Sequence, residues 1–201
     1  MNAMFAVEQD KPCRLTWRLW EPQEVCVVLG RSSPAEQEVD LERCELDAVP
    51  IRRRLGGGCS VVLAPGMVVI SIQSPRDLAG TVDEEFERWT TVLSRSLANA
   101  GVKGLAVRGV SDVCIAERKI MGSCLYRSRD VSSYETSLLV DADCSLLSRY
   151  LKMPIRMPAY RQCRPHTEFV TTLRQQGHAV SCEQVMSLIE HAISVEVNDG
   201  D

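Results

Sequence analysis

Along this chain, apolar and polar positions fall into short alternating or continuous runs broken by turn residues, with two stretches of helical period. CRLTWRLWEP (13–22) alternates and stops at Pro22, which predicts a strand. VCVVLGR (25–31) is a continuous apolar run closed by Gly30, the pattern of a strand buried on both faces. SSPAEQEVDLERCEL (32–46) opens on Ser-Ser-Pro with acidic residues early, which predicts one helix. VPIRRR (49–54) and VVISIQ (68–73) read as strands, with a further strand expected after the glycines that follow the first.

TVDEEFERWTTVLSRSLANAG (81–101) is the clearest helix. Val82, Phe86, Trp89, Val92, Leu93, Leu97 and Ala100 share one face, and Gly101 closes it. Residues 105–128 predict two or three strands with tight turns, one of them at or near Glu117-Arg118, and 133–142 another strand. DCSLLSRYLKM (143–153) reads as a helix with Asp143 as N-cap, PIRMPAYRQCRPH (154–166) as an ordered loop, and SCEQVMSLIEHAISVEV (181–197) as a final helix capped by Ser181. Strands outnumber helices and several are adjacent in sequence, so the expected class is α+β, a mixed β-sheet core with packed helices, in a single domain over 1–201.

Composition narrows the function classes. Apolar content of 45% and charged content of 25% are those of a globular protein, and the net charge of −4 argues against broad nucleic-acid binding. No run is apolar enough for a membrane span, and MNAMFAVEQD is not a secretory signal. Nine cysteines, odd in number and scattered without a C-x-x-C or zinc spacing, read as free thiols in a reducing cytoplasm, with no metal site.

Two stretches carry candidate chemistry. In IRRRLGGGCSVVLAPG (51–66), Gly56, Gly57 and Gly58 weaken a plain strand. Their amides, with Arg53 and Arg54 beside them, can cradle an anion; the same residues also suit a solvated surface turn. In SDVCIAERKIMGSC (111–124), Lys119 follows the predicted hairpin turn and precedes Met121-Gly122-Ser123.

Together these stretches resemble the lipoate–protein ligase and octanoyltransferase superfamily, which shares its fold with biotin–protein ligases. The resemblance runs from about Leu15 to Leu173. LWEPQEVCVVLGRSS and EVDLERC are similar to the family's first strands and helix, and VPIRRRLGGG to its Arg-Arg-x-Ser-Gly-Gly-Gly loop. SDVCIAERKIMGSC is similar to its lysine block, and SRYLKMPIRMPAYRQCRPHTEFVTTL to the tail of a compact single-domain branch. Counted back from Ala64-Pro65-Gly66, the arginines fall on Arg53 and Arg54. Gly56 then takes the serine position, Gly57 and Gly58 those of the first two glycines, and Cys59 that of the third.

The resemblance implies an enzyme that activates lipoate or octanoate with ATP, accompanied by Mg2+, to an acyl-adenylate and passes the acyl group to a lysine of a lipoyl-domain acceptor. Lys119 is then the catalytic residue. Substrate binding falls to Arg53, Arg54, Gly56, Gly57, Gly58, Cys59, Ser60, Gly66, Asp112, Gly122, Ser123, Cys124 and Thr136. The family's His-Gly-Thr stands here as Tyr134-Glu135-Thr136, the resemblance implies that an N-terminal covering helix is shortened or missing before Leu15, and no C-terminal accessory domain is expected, so a separate accessory protein is a further partner. Two alternatives stay open: an ATP-independent transferase using a cysteine, with Cys59, Cys114 and Cys124 near the expected site, and a lipoate-binding relative without turnover.

Overall fold

The computed structural model describes residues 14–198. Cys13 and the N-terminal segment on which the signal reading rests lie outside them. The elements in chain order are β1 (Thr16–Trp20), β2 (Cys26–Leu29), α1 (Ala35–Glu38), α2 (Leu41–Leu46), β3 (Ile51–Arg53), β4 (Val61–Leu63), β5 (Met67–Pro75) and α3 (Val82–Asn99). There follow β6 (Leu105–Arg108), β7 (Asp112–Ile115), β8 (Arg118–Arg127), β9 (Val131–Leu139), α4 (Ser145–Tyr150), α5 (His166–Phe169) and α6 (Cys182–Asn198).

The class is α+β, with two sheets. A six-stranded sheet in the order β1-β5-β9-β8-β7-β6 is antiparallel throughout. The mixed sheet is a smaller one, β3-β2-β4, where β2 runs parallel to β3 and antiparallel to β4. Helices α3 and α6 cover one face of the large sheet, with Trp89, Leu93, Leu97, Ile189 and Ile193 packed on Val68, Ile70, Ile72 and Leu138. The small sheet, α4 and α5 pack toward the other face through Val28, Leu63, Met67, Val69, Leu139 and Phe169.

Local signals explain the long helices. Thr81 and Glu84 form a reciprocal capping box at the start of α3. Its end is a Schellman motif: Gly101, at φ +89°, donates to the Ala98 carbonyl and Val102 to that of Leu97. Ser181 and Gln184 make the same reciprocal bonds ahead of α6.

Two helices differ from expectation because distant strand contacts interrupt them. The single helix over 32–46 is split at Val39, which bridges Leu151, and Asp40 caps the second piece by accepting the Arg43 N–H. The helix over 143–153 spans only Ser145–Tyr150, since Leu151 is extended in that bridge; Cys144 is the cap position, and Asp143 accepts the Ser145 N–H. The β7–β8 turn is Ala116-Glu117, both at positive φ (49° and 62°), beside Glu117-Arg118 as the sequence predicts.

Candidate active site

Between the small sheet and the large one lies a cavity of about 300 Å3. Its centre is built by β7 and β8. The ladder slips by one residue between Val113 and Cys114: Cys114 pairs with Lys119, but Val113 with Met121. The extra residue, Ile120, breaks the strict alternation of β8. Ile120 and Met121 both bury in the helix-side core, and the Lys119 side chain lies over Gly122. A Cβ on Gly122 would stand 2.2 Å from Lys119 Cε and 2.3 Å from Nζ, so the lysine path requires glycine there.

The ammonium is held in place. Lys119 Nζ sits 2.6 Å from Asp112 Oδ1, and the other oxygen, Oδ2, accepts the Tyr160 hydroxyl at 2.6 Å. Burial and the adjacent carboxylate push the Tyr160 phenol far up, so it stays a donor. The Lys119 carbonyl accepts the Thr171 N–H, which ties the lysine strand to the segment after α5.

The glycine loop forms a second wall, and the arginines shape it. Arg54, 6% exposed, donates to the carbonyls of Val28, Gly57 and Cys59. Arg53 donates to those of Gly30, Arg31 and Ser33. Both guanidinium groups thus bind backbone carbonyls around the loop, that of Val28 in β2 among them. Gly58 adopts φ +87°, and its carbonyl packs so close to Gly30 that a Cβ on Gly30 would fall 1.9 Å from it. Ser60 donates its N–H (2.6 Å) and hydroxyl (2.7 Å) to Glu38. Burial opposes the charge of Glu38, but the Ser60 bonds outweigh it and keep its pKa below the ordinary value.

The third wall comes from the segment after α4. Arg161, 4% exposed, has no carboxylate partner among the described residues. It donates to the Arg164 carbonyl, lies 3.3 Å from His166 Nδ1 and stacks 4.6 Å over Phe169. Burial lowers the pKa of His166, so the ring is neutral, accepting from Arg161 and donating from Nε2 to the Lys152 carbonyl. Arg156 also lines this side, and its carbonyl faces the Cys59 thiol at 3.6 Å.

One position on β9 adds an acid. Glu135 pairs with Cys124 across the ladder and lines the cavity, whereas Tyr134 points to the helices, edge-on to Phe86. Burial raises the Glu135 carboxyl to about 7 against the opposing pull of Arg54. Burial likewise raises the thiols of Cys59 and Cys114, and lifts Cys124 to about 11, so none is a ready thiolate.

Of the residues singled out in the sequence, Arg54, Gly58, Cys59, Ser60, Asp112, Lys119, Gly122, Ser123, Cys124 and Thr136 line this one cavity. Thr136 and Ser123 do so with their hydroxyls engaged, on the Gly122 carbonyl and on Ser111. Arg53, Gly56, Gly57 and Gly66 are not among its lining residues. Gly56 packs on Cys124, and Gly66, at φ +83°, is a corner whose Cβ would strike the Asp141–Ala142 peptide at 2.7 Å. Glu38, Tyr160, Arg161 and His166 are not among the residues singled out in the sequence; for the last three the density of Arg and Pro over 154–166 is the available signal, and Glu38 has none. Among the described residues, no group of three or more His, Cys, Asp or Glu gathers to hold a metal, and no helix is long and apolar enough to cross a membrane.

Comparison with known proteins gives this arrangement relatives. The lipoyl protein ligase A/B catalytic domain family matches residues 3–194. A lipoate-protein ligase A of Psychrobacter cryohalolentis is 30% identical over 142 residues, 70% of this chain and 40% of its own length. The chain spans about half the length, or less, of the curated relatives it matches. Among solved structures, a bi-partite lipoate protein ligase from Thermoplasma acidophilum, described with its E2 lipoyl domain, superposes with TM-score 0.77 at 23% identity, covering 90% of this chain and 70% of that one. A lipoate-protein ligase A bound with ATP gives TM-score 0.75 at 23% identity, covering 90% and 71%. At that identity, these two likenesses establish the fold alone.

Proposed function

The chain belongs to the lipoyl protein ligase A/B catalytic domain family, and from that premise we propose that its cavity joins lipoate or octanoate to ATP as an acyl-adenylate and passes the acyl group to a lysine of a lipoyl-domain acceptor. The observation that carries this reading is Lys119, held by Asp112 over Gly122 at the centre of the cavity.

The first step brings two anions together. The acid's carboxylate attacks the α-phosphorus of ATP and pyrophosphate leaves. Repulsion between carboxylate and triphosphate, and the charge that develops at phosphorus, need a fixed cation in a site that excludes water. Lys119 supplies a point charge with three donors. Asp112 spends one oxygen orienting that ammonium and the other on Tyr160, so it positions the lysine without leaving it mobile. The phosphates belong beside Arg161 and Arg156, where a buried guanidinium lacks a carboxylate partner. In the second step, the acceptor's lysine amine attacks the acyl carbonyl, AMP leaves with the bonding pair, and the amine loses a proton. The nucleophile comes from the acceptor, so the raised thiols of the cavity are not required.

Magnesium accompanies ATP in this reading, but the described residues do not assemble a site for it. Both oxygens of Asp112 are engaged, and Glu38 is turned to Ser60. The solved relative described with ATP and the one described with its E2 lipoyl domain support the substrates and the acceptor. The bi-partite description of the latter supports a separate accessory protein as a further partner. The eight described cysteines are all unpaired, which suits the reducing cytoplasm.

Mass spectrometry of a lipoyl-domain acceptor, incubated with lipoate with and without ATP, tests the proposal. ATP-dependent acylation is expected, lost in a folded Lys119→Ala protein. Acylation from an acyl carrier without ATP, with a thioester on the enzyme by intact mass, would replace this reading with the transferase. Binding of lipoate without turnover would leave a binding protein.

A further inference from the structure

The place of the Lys119 ammonium is set from outside the cavity. A flexible four-carbon stem separates Nζ from the strand, so its partner fixes it more than its own rotamer does. That partner, Asp112, meets Nζ through Oδ1 alone. A carboxylate turns about a broad torsion, and an ammonium bound to one of its oxygens turns with it. What stops the turn is Tyr160, whose hydroxyl donates to Oδ2 at 2.6 Å. Tyr160 is not among the residues that line the cavity, so whatever it does there passes through Asp112.

Tyr160 is itself anchored. Its ring packs on Phe169 with centroids 5.3 Å apart. The Cys114 thiol donates to its oxygen at 3.7 Å, which leaves the phenol proton for Asp112. Its carbonyl accepts from Arg164 Nη2 at 3.0 Å, and the same nitrogen donates to the Glu117 carbonyl at 3.0 Å. Glu117 lies in the turn that joins β7 and β8, the strands that carry Asp112 and Lys119. The contacts therefore close a circuit: Lys119 to Asp112, Asp112 to Tyr160, Tyr160 to Arg164, Arg164 to the hairpin turn. Just beyond Tyr160, Gln162 and Cys163 both take positive φ (50° and 57°), a conformation that costs non-glycine residues energy and persists only where the surroundings impose it. Here Arg161 and Arg164 impose it, each donating its Nε to the other's carbonyl.

We propose that Tyr160 is a positioning residue for the chemical step: its hydroxyl locks the Asp112 carboxylate, and the locked carboxylate keeps the Lys119 ammonium over Gly122. The inference rests on the adenylate reading for what the ammonium does, but not for where it sits. Without the hydroxyl, the ammonium is still in the cavity and still attracts anions, so substrates bind as before. What is lost is the share of time the charge spends where the transition state needs it. Such a loss lowers kcat and leaves KM in place.

Tyr160→Phe tests this, since it removes the hydroxyl and keeps the ring on Phe169. Initial rates of pyrophosphate release with lipoate and ATP are expected to show kcat lowered about tenfold, short of the roughly 10²-fold cost of a full 1 Å misplacement, with the KM of each substrate within about twofold of wild type. A second readout does not depend on turnover: the rate at which an amine-acylating reagent labels Lys119 at fixed pH, followed by peptide mass. A carboxylate free to turn pairs with the ammonium for less of the time. Lys119 is therefore expected to label at least about threefold faster in Tyr160→Phe, toward its rate in Asp112→Asn, by the same loss of a fixed partner. Lys152, whose ammonium donates to the Glu36 carbonyl, is the internal control and should not change. Circular dichroism checks that the variants are folded. A kcat within twofold of wild type, a loss confined to KM, or Lys119 labelled at the wild-type rate overturns the proposal. Absence of pyrophosphate release in wild type defeats the adenylate reading instead, and the labelling of Lys119 then decides the inference alone: faster in Tyr160→Phe supports it, unchanged or slower overturns it.

Discussion

Gly122→Ala separates the geometry of Lys119 from the stability of the fold. An alanine Cβ at this position stands 2.2 Å from Lys119 Cε, 2.3 Å from Nζ and 3.2 Å from Asp112 Oδ1. Ordinary contact begins near 3.4 Å, so the end of the lysine side chain must withdraw by about 1 Å or more. That end is flexible and belongs to no backbone, so the fold can absorb the change. The cost to stability is at most the partly exposed Lys119–Asp112 pair, about 1 kcal/mol. A gain of about 0.4–1 kcal/mol from restricting the unfolded chain offsets it. The melting temperature is expected to move by no more than about 4 °C. Activity is another matter: a displacement of about 1 Å at a reacting centre costs about 10²-fold. Initial rates of pyrophosphate release with lipoate and ATP, beside thermal unfolding by circular dichroism, check both numbers. Gly57→Ala is the control, since nothing lies within 4 Å of a Cβ there, and both readouts should stay at wild type. A Gly122→Ala enzyme working within threefold of wild type would refute the claim that the lysine path over Gly122 matters. A loss of more than about 10 °C would refute the claim that only a side-chain end is disturbed.

Other perturbations reach different parts of the same frame. Gly30→Ala sets a Cβ 1.9 Å from the Gly58 carbonyl, a backbone atom that cannot step aside. Chemical denaturation should show a loss of about 1–3 kcal/mol with the glycine loop displaced, and unchanged stability would mean the loop is not packed on the β2–α1 turn. Glu135→Gln should change how stability depends on pH. The folded carboxyl titrates near 7 and the unfolded one near its ordinary 4.5, so the folded state binds more protons between those values. Wild-type stability should therefore fall as pH rises from about 4.5 to about 7, by on the order of 3 kcal/mol at most, and level off above. Denaturation curves of Glu135→Gln should lack that slope, and an identical slope in both proteins would mean Glu135 is not the group responsible.

What the sequence made legible was local. The capping box of Thr81 and Glu84, the apolar face through Trp89, Leu93 and Leu97, and the Gly101 stop lie within 21 residues of one another, so periodicity and caps sufficed for α3. The closeness of Asp112 and Lys119 was legible for a similar reason, since a tight hairpin turn between them brings its two strands together. The break of the 32–46 helix was not legible, because Val39 is extended by a partner at Leu151, far along the chain. Nor was the slip in the β7–β8 ladder, which no composition marks, yet which sets Lys119 over Gly122.

The arginines show why the site was harder to read than the fold. Next to three glycines, Arg53 and Arg54 suggest phosphate binding, because both residue types do that work elsewhere. Here their donors go to carbonyls of Val28, Gly30, Arg31, Ser33, Gly57 and Cys59. Five of these six acceptors, all but Val28 of β2, lie outside any ladder, where a carbonyl left buried and unpaired costs about 1–3 kcal/mol. Cations that sit beside such carbonyls are consumed by the loop before any substrate arrives. Arg161 is the opposite case. It comes from a Pro- and Arg-rich stretch that reads as a connection, and it is buried where no carboxylate of the described residues pairs with it. A charge in that state is costly until an anion is present. The cation that binds is therefore to be sought where the protein leaves a guanidinium without a counter-charge, not where the sequence crowds arginines together.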